Sequence, residues 1–260
     1  ALQRNFTASV PVFAALEESP SHRDKARLYG AMAAQQAGQT EVAIEAYNRL
    51  LASSPRDADW ADAALVLVSL HLERKNLPEA GRGLALLQGR RDSVDNLAGL
   101  NALSLQLGDA LLAEGDPVGA LSAYRMASPR EDLRRTQAAR NERMTAQIAR
   151  AQALLRGPAA ELDAYRRLEA RLERARTALE EIDKLETYDS ALYLRLGRAF
   201  QERGGPWEAA LAFTRVLEGP PEAPERIPAH LGLVRAYAEA GRVTKADEAA
   251  ARFAEAHPGN

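Results

Sequence analysis

Of 260 residues, 46% are hydrophobic, 27% charged and only 5% aromatic, and none is cysteine. Ala (53) and Leu (36) dominate while Ile and Val together supply 14; Ala and Leu are the strongest helix formers and strands favour β-branched and aromatic side chains, so the fold class is all-α. The missing cysteines remove thiolate metal sites, disulfides and a cysteine nucleophile, and a net charge of -2 offers no global attraction for nucleic acid or anionic lipid.

No stretch approaches the roughly 18 uninterrupted apolar residues of a membrane span. The chain opens Ala1-Leu2-Gln3-Arg4-Asn5, with neither an initiator Met nor a signal-peptide pattern. That reads as a piece of something longer.

In chain order, the sequence repeats itself. Residues 1–20 carry Ala8, Val12, Ala15 and Pro20 at the offsets of Ala43, Tyr47, Leu50 and Pro55 one repeat later. The first full window has Gly30-Ala31, Gly38, Ala43, Tyr47 and Pro55. A second has Trp60, Leu67, Val68, Ala80 and Leu84, with Lys75-Asn76 where the others place a turn Gly. The third has Leu107-Gly108, Gly115, Ala120 and Tyr124. After a gap, a fourth has Leu196-Gly197, Gly204, Ala209 and Phe213, and a fifth has Leu233, Tyr237, Gly241, Ala246 and Pro258.

These windows resemble the tetratricopeptide repeat, a helix–turn–helix unit with Leu-Gly in its first helix, Ala and an aromatic in its second, and a closing Pro. The resemblance implies a superhelix of about five helix pairs. The small residue at Ala31, Gly108 or Gly197 lets the two helices of a unit approach closely. Ala43, Ala80, Ala120, Ala209 and Ala246 sit where the helices cross, and Tyr47, Tyr124 and Phe213 fill the wedge toward the next unit. Gly38, Gly115 and Gly241 end a helix at positive φ. Residues 1–20 then look like a lone second helix, with further repeats expected before residue 1.

The spacing departs from the family period of about 34. Ala43 to Ala80 and Ala209 to Ala246 are 37 apart, and Ala80 to Ala120 is 40. The extra residues fall in inter-repeat loops such as 218–224, which look like those of bacterial envelope members of the family. A periplasmic or cell-envelope setting is the resulting expectation, with a cytoplasmic one as the alternative.

Between Ala120 and Ala209 lie 89 positions. Residues 130–187 fill the excess with two long polar helices broken at Gly157-Pro158, each roughly 40 Å long. On the second, Tyr165, Leu168, Leu172, Ala175, Leu179 and Ile182 form a heptad seam. The first has a thinner stripe of Leu133, Met144, Ile148, Ala151 and Leu155. Either the pair packs on itself and on the neighbouring repeats, or it projects and its seam mediates self-association. The expected organisation is half a unit plus three repeats over 1–129, a helical hairpin over 130–187, and two repeats over 188–260. The first hairpin helix holds seven Arg against three acidic residues across 130–156, but no aromatic residues interleave them. Nucleic acid is therefore not an expected partner.

No catalytic residue, cofactor site or metal site is expected. His22, His71, His230 and His257 lie far apart without metal-ligand spacing, and no phosphate loop or nucleophile elbow occurs. Trp60 and Trp207 are expected to pack between helices.

In tetratricopeptide arrays the first helices line a groove for a partner's helical or extended segment. On this register the fifth position is Leu28, Leu65, Leu105, Leu194 and Leu231, and the ninth is Met32, Ser69, Asp109, Arg198 and Arg235; the twelfth includes Gln35 and Leu112. An apolar row with polar flanks suits an amphipathic helix. Its alternative is self-coverage of the Leu row within the array. If the row binds, Leu105 and Leu194 are the residues whose change to Glu abolishes binding with helicity retained. The expected function is thus a non-enzymatic protein-binding scaffold in an outer-membrane, pilus or exopolysaccharide-export complex. The alternatives are an oligomerisation module acting through 130–187, or the regulatory part of a larger enzyme.

Overall fold

A computed structural model describes residues 2–19, 22–53, 58–154 and 159–257. Pro20, Pro55, Leu155, Gly157-Pro158 and Pro258, each given a role by the sequence, lie outside them. The described residues form thirteen α-helices and one 3-10 turn, with no strand. None of the helices is long and apolar enough to cross a membrane.

All five windows are helix pairs. They are α2 (Arg23–Gln36) with α3 (Thr40–Ser53), α4 (Ala58–Glu73) with α5 (Leu77–Gln88), and α6 (Leu97–Ala113) with α7 (Pro117–Tyr124). After α8 (Arg130–Leu154) and α9 (Ala159–Lys184) come α10 (Asp189–Glu202) with α11 (Pro206–Leu217), and α12 (Arg226–Glu239) with α13 (Val243–Ala256). A single helix, α1 (Leu2–Leu16), precedes them and packs on α2.

The turns follow from local chemistry. Gly38, Gly115, Gly204 and Gly241 take φ of 73°, 79°, 80° and 69° after four of the first helices. The second pair has no Gly there, and Lys75 is forced to φ 56°, a left-handed conformation that costs a side chain about 1 kcal/mol. Second helices open with Pro117 and Pro206 at the first turn, where a missing N–H costs nothing. Asp116 caps α7 by accepting from the Gly119 amide at 2.8 Å.

The chain divides into two compact units, residues 1–103 with 147–175 and residues 104–146 with 176–260. In the first, Ala31, Ala34, Ala43, Tyr47, Leu50, Ala63, Leu67 and Leu70 make one buried cluster. The first-helix position that is Ala31, Gly108 or Gly197 elsewhere is Val68 in the second pair, and the second helix compensates with Gly83. A Cβ there would stand 2.5 Å from Val68 Cγ2.

In the second unit the array resumes directly. α10 packs on α7, and Ala120, Leu121 and Tyr124 share a buried cluster with Leu192 and Ala199. The two ends of the insertion are stitched at its base. The Arg130 amide donates to Asp189 Oδ1 at 2.7 Å, Tyr188 Oη donates to the Ser128 carbonyl at 2.9 Å, and Arg134 Nε donates to Asp183 Oδ1 at 2.6 Å. Within the first unit Gln152 bonds Tyr165, and Arg171 binds the buried Asp95 at 2.8 Å and the Asp92 carbonyl at 2.6 Å.

Part of the heptad seam is covered within the chain. Leu172, Ala175, Ala178 and Ile182 are buried within the chain, and Tyr165, Leu168 and Leu179 are half-buried. The stripe on α8 is fuller than its apolar residues indicate: Gln137, Arg140 and Asn141 are buried between Leu133 and Met144. At spacings of three and four they continue the same helix face.

Two histidines carry a pH dependence. His71 and His230 are both buried. Desolvation chiefly lowers each pKa, joined at His230 by the charges of His257 and Arg226 and at His71 by Arg82 against Glu79. The unfolded chain titrates them near the ordinary value of about 6.5. Stability is therefore full above that pH and falls as pH drops from there toward the lower folded values, because the unfolded state binds the proton first. Urea midpoints are expected to fall between about pH 7.5 and 5.5, with a shallower slope in His230→Gln.

Candidate functional site

Two adjoining cavities of the first-helix face lie in the second unit. One, of about 570 Å³, is lined by Asp109 and Leu112 of α6, by Leu194, Arg195, Arg198 and Glu202 of α10, and by Tyr124 and Glu225. The other, of about 440 Å³, is lined by Arg198, Gln201 and Glu202 of α10, Phe213 of α11, and Leu231, Gly232 and Arg235 of α12. Arg198 and Glu202 stand in the wall common to both. Six of the residues expected at the groove, Asp109, Leu112, Leu194, Arg198, Leu231 and Arg235, line these two cavities.

The floor is a polar network. Tyr124 Oη donates to Asp109 Oδ1 at 2.7 Å, and Arg195 Nε donates to both Asp109 oxygens at 2.8 and 3.1 Å. Burial, reinforced by the Asp109 carboxylate, pushes the Tyr124 hydroxyl up, and the same carboxylate raises the Arg195 guanidinium. Both shifts favour the protonated forms, which donate the hydrogen bonds of this network. The first unit has a neutral version. Tyr47 Oη donates to Gln35 Oε1 at 3.0 Å, and burial raises its pKa to about 12.

In the fourth helix pair the wedge residue is Phe213, which has no hydroxyl to offer a first helix. Arg198, at the position that holds Asp109 one unit earlier, makes no ion pair among the described residues. Arg235 does, with Glu239 at 2.7 Å on the surface. The groove wall therefore presents Arg198, outside any ion pair and one helical turn from Glu202, beside Leu231, which is 54% exposed.

The Leu row does not lie open along its length. Leu65 and Leu194 are buried, and Leu28 and Leu105 are half-buried against the clusters that hold their own second helices. Burying a Leu there is worth about 2 kcal/mol, and the close helix approach at Ala31, Gly108 and Gly197 draws the neighbouring Leu inward. Leu231 is the one member of the row that is exposed. Among the others, Met32 is 45% exposed and Ser69 is half-buried, donating to Glu73. Exchanging Leu105 and Leu194 for Glu would therefore test packing, not binding.

Sequence reasoning missed Arg195, Glu202 and Glu225. Arg195 occupies the sixth register position and meets Asp109 from 86 residues away, a pairing visible only once α10 is known to follow α7. Trp60 packs as expected, buried and donating to the Leu51 carbonyl at 3.2 Å. Trp207, at the start of α11, meets Tyr237 of α12 but stays 43% exposed.

Residues 25–57 match the tetratricopeptide repeat family model and coincide with the α2–α3 pair. No curated protein sequence matches the chain. Among solved structures, the chain is similar to the MamA protein at 14% identity and TM-score 0.46, covering 91% of this chain and 92% of that one. BtubC (BKLC) from P. vanneervenii follows at 14% and 0.41, covering 98% and 89%. The C-terminal part of a TPR repeat-containing protein from Cytophaga hutchinsonii is similar at 12% and 0.37, covering 98% and 92%.

Proposed function

We propose that this chain, built of tetratricopeptide repeats, is a non-enzymatic scaffold that captures a segment of a partner protein on its first-helix face. Such repeats are generally protein–protein interaction modules. The observation that carries the reading is the pair of adjoining cavities on α6, α10 and α12, with exposed Leu231 beside Arg198, which no ion pair holds among the described residues. An apolar anchor next to a fixed charge is the arrangement that reads one side chain by burial and its neighbour by charge. An amphipathic helix with anchors at i, i+3 and i+4 fits it, as does an extended segment.

The long loops between helix pairs, 218–225 and the stretch around the 3-10 turn Arg91–Ser93, support a role in a bacterial envelope assembly. Accumulation of the full-length protein in the cytosol of fractionated cells would count against that setting.

Arg198→Glu with Leu231→Glu tests the groove, because both side chains are exposed and leave the core intact. Recovered from its native cells, the tagged chain is expected to retain a specific protein that the double variant loses by about 30-fold or more, at unchanged helicity. Equal retention by the two would contradict the groove.

A further inference from the structure

A second groove lies between α11 and α13, with α12 as its floor. Its cavity of about 410 Å³ is lined by Thr214, Leu233, Tyr237, Lys245 and Arg252 among others. At one end Trp207 meets Tyr237 edge-to-face at 6.4 Å. Leu211, one turn further along α11, is 70% exposed.

The charges are unusual in how they are held. Arg242 lies 5.3 Å from the Trp207 ring centroid; Lys245 lies 5.7 Å from it and 5.6 Å from that of Tyr237. An aromatic face fixes a cation in place without neutralising it, because the ring has a quadrupole and no net charge. Arg242, Lys245 and Arg252 form no ion pair among the described residues. Of the two carboxylates that line the cavity, Glu218 is engaged by Arg215 at 2.9 Å. That leaves Glu248 against Lys245 and Arg252 in the lining, with Arg242 on the Trp207 ring beyond it.

We propose that this groove docks an acidic protein segment, which lays carboxylates on Arg242, Lys245 and Arg252 and an aliphatic side chain against Trp207 and Leu211. Lys245 and Arg252 are two helical turns apart, about 10 Å along the α13 axis; carboxylates two residues apart on the same face of an extended segment, about 7 Å from one another, reach both because the long Lys and Arg side chains make up the difference. Because the aromatic rings already hold Arg242 and Lys245, less side-chain entropy is lost on binding. An anionic bilayer fits less well: Asp247 and Glu248 share the turns of Lys245 and would be pressed onto lipid phosphates, whereas a peptide sets each carboxylate on its own cation.

Fluorescence anisotropy of a labelled peptide of Glu, Asp and Leu, titrated with the full chain, tests this. Saturable binding is expected, weakened by salt and by at least about tenfold in Lys245→Glu with Arg252→Glu and in Trp207→Ala. Arg198→Glu should leave it unchanged, which separates this groove from the first-helix face. Should Trp207→Ala lose helicity, Arg252→Glu alone decides, since its side chain is exposed. Absence of saturable binding, equal affinity of the charge-reversed chain, competition by a Lys and Leu peptide, or binding of phosphatidylglycerol vesicles in place of the peptide would each overturn the proposal.

Discussion

Gly197→Ala is expected to destabilise the second unit by about 2 kcal/mol, although Ala is the better helix former by about 1 kcal/mol. A Cβ at Gly197 would lie 2.4, 2.6 and 2.8 Å from three atoms of the Phe213 ring. The ring has nowhere to go: Phe213 is 1% exposed, and a Cβ on Gly232 would meet it at 2.6 Å on α12. Overpacking of this kind costs about 1–3 kcal/mol or more and outweighs the propensity gain. Phe213→Leu should recover much of the loss in the double variant, as expected of residues in contact. The measurement is urea unfolding followed by Trp207 fluorescence in a Trp60→Phe background, which leaves one tryptophan, located in the second unit. A Gly197→Ala chain as stable as the parent would show that the helix pair is looser than described.

Arg171→Ala is expected to cost the first unit about 3 kcal/mol. Its Nε sits 2.8 Å from Asp95 Oδ1 and its Nη2 bonds the Asp92 carbonyl at 2.6 Å, so one guanidinium ties α9 to the turn ahead of α6. Asp95 is 2% exposed, with Arg174 further off at 3.7 Å. Removing Arg171 leaves a buried carboxylate short of its main counter-charge, the costly half of breaking a buried pair. Arg171→Lys should fail to rescue, since an ammonium cannot span both acceptors as the planar fork does. Arg171→Met with Asp95→Asn should recover most of the loss, because neither partner is then left charged. Trp60 fluorescence in a Trp207→Phe background reads this unit. Equal stability of Arg171→Ala and the parent would remove the ion pair from the account of how α9 is held.

The helix pairs were legible because their signals are local: a turn Gly, a crossing Ala and a small first-helix residue recur at fixed offsets. Even the weakest window, with Lys75 for Gly, formed its pair, Lys75 adopting the conformation that Gly takes elsewhere. The insertion's packing was legible only in part. Heptad spacing marked the α9 stripe, but Gln137, Arg140 and Asn141 look like surface residues in the sequence and are buried in the fold. A break in an apolar stripe was the available clue. The groove was legible by position and not by exposure. Leu at five equivalent places could not reveal that packing hides Leu194 and leaves Leu231 out. Long-range partners such as Arg195 with Asp109 depend on which helix follows α7 in space, and periodicity carries no such information.

The first-helix face is tested most directly by photo-crosslinking in the native cells from a benzoylphenylalanine placed at Leu231, with Ser122, exposed on the second helix α7, as the control position. The scaffold account predicts a discrete protein adduct from position 231 that disappears in Arg198→Glu, and none from position 122. An adduct from 122 with none from 231 would contradict it.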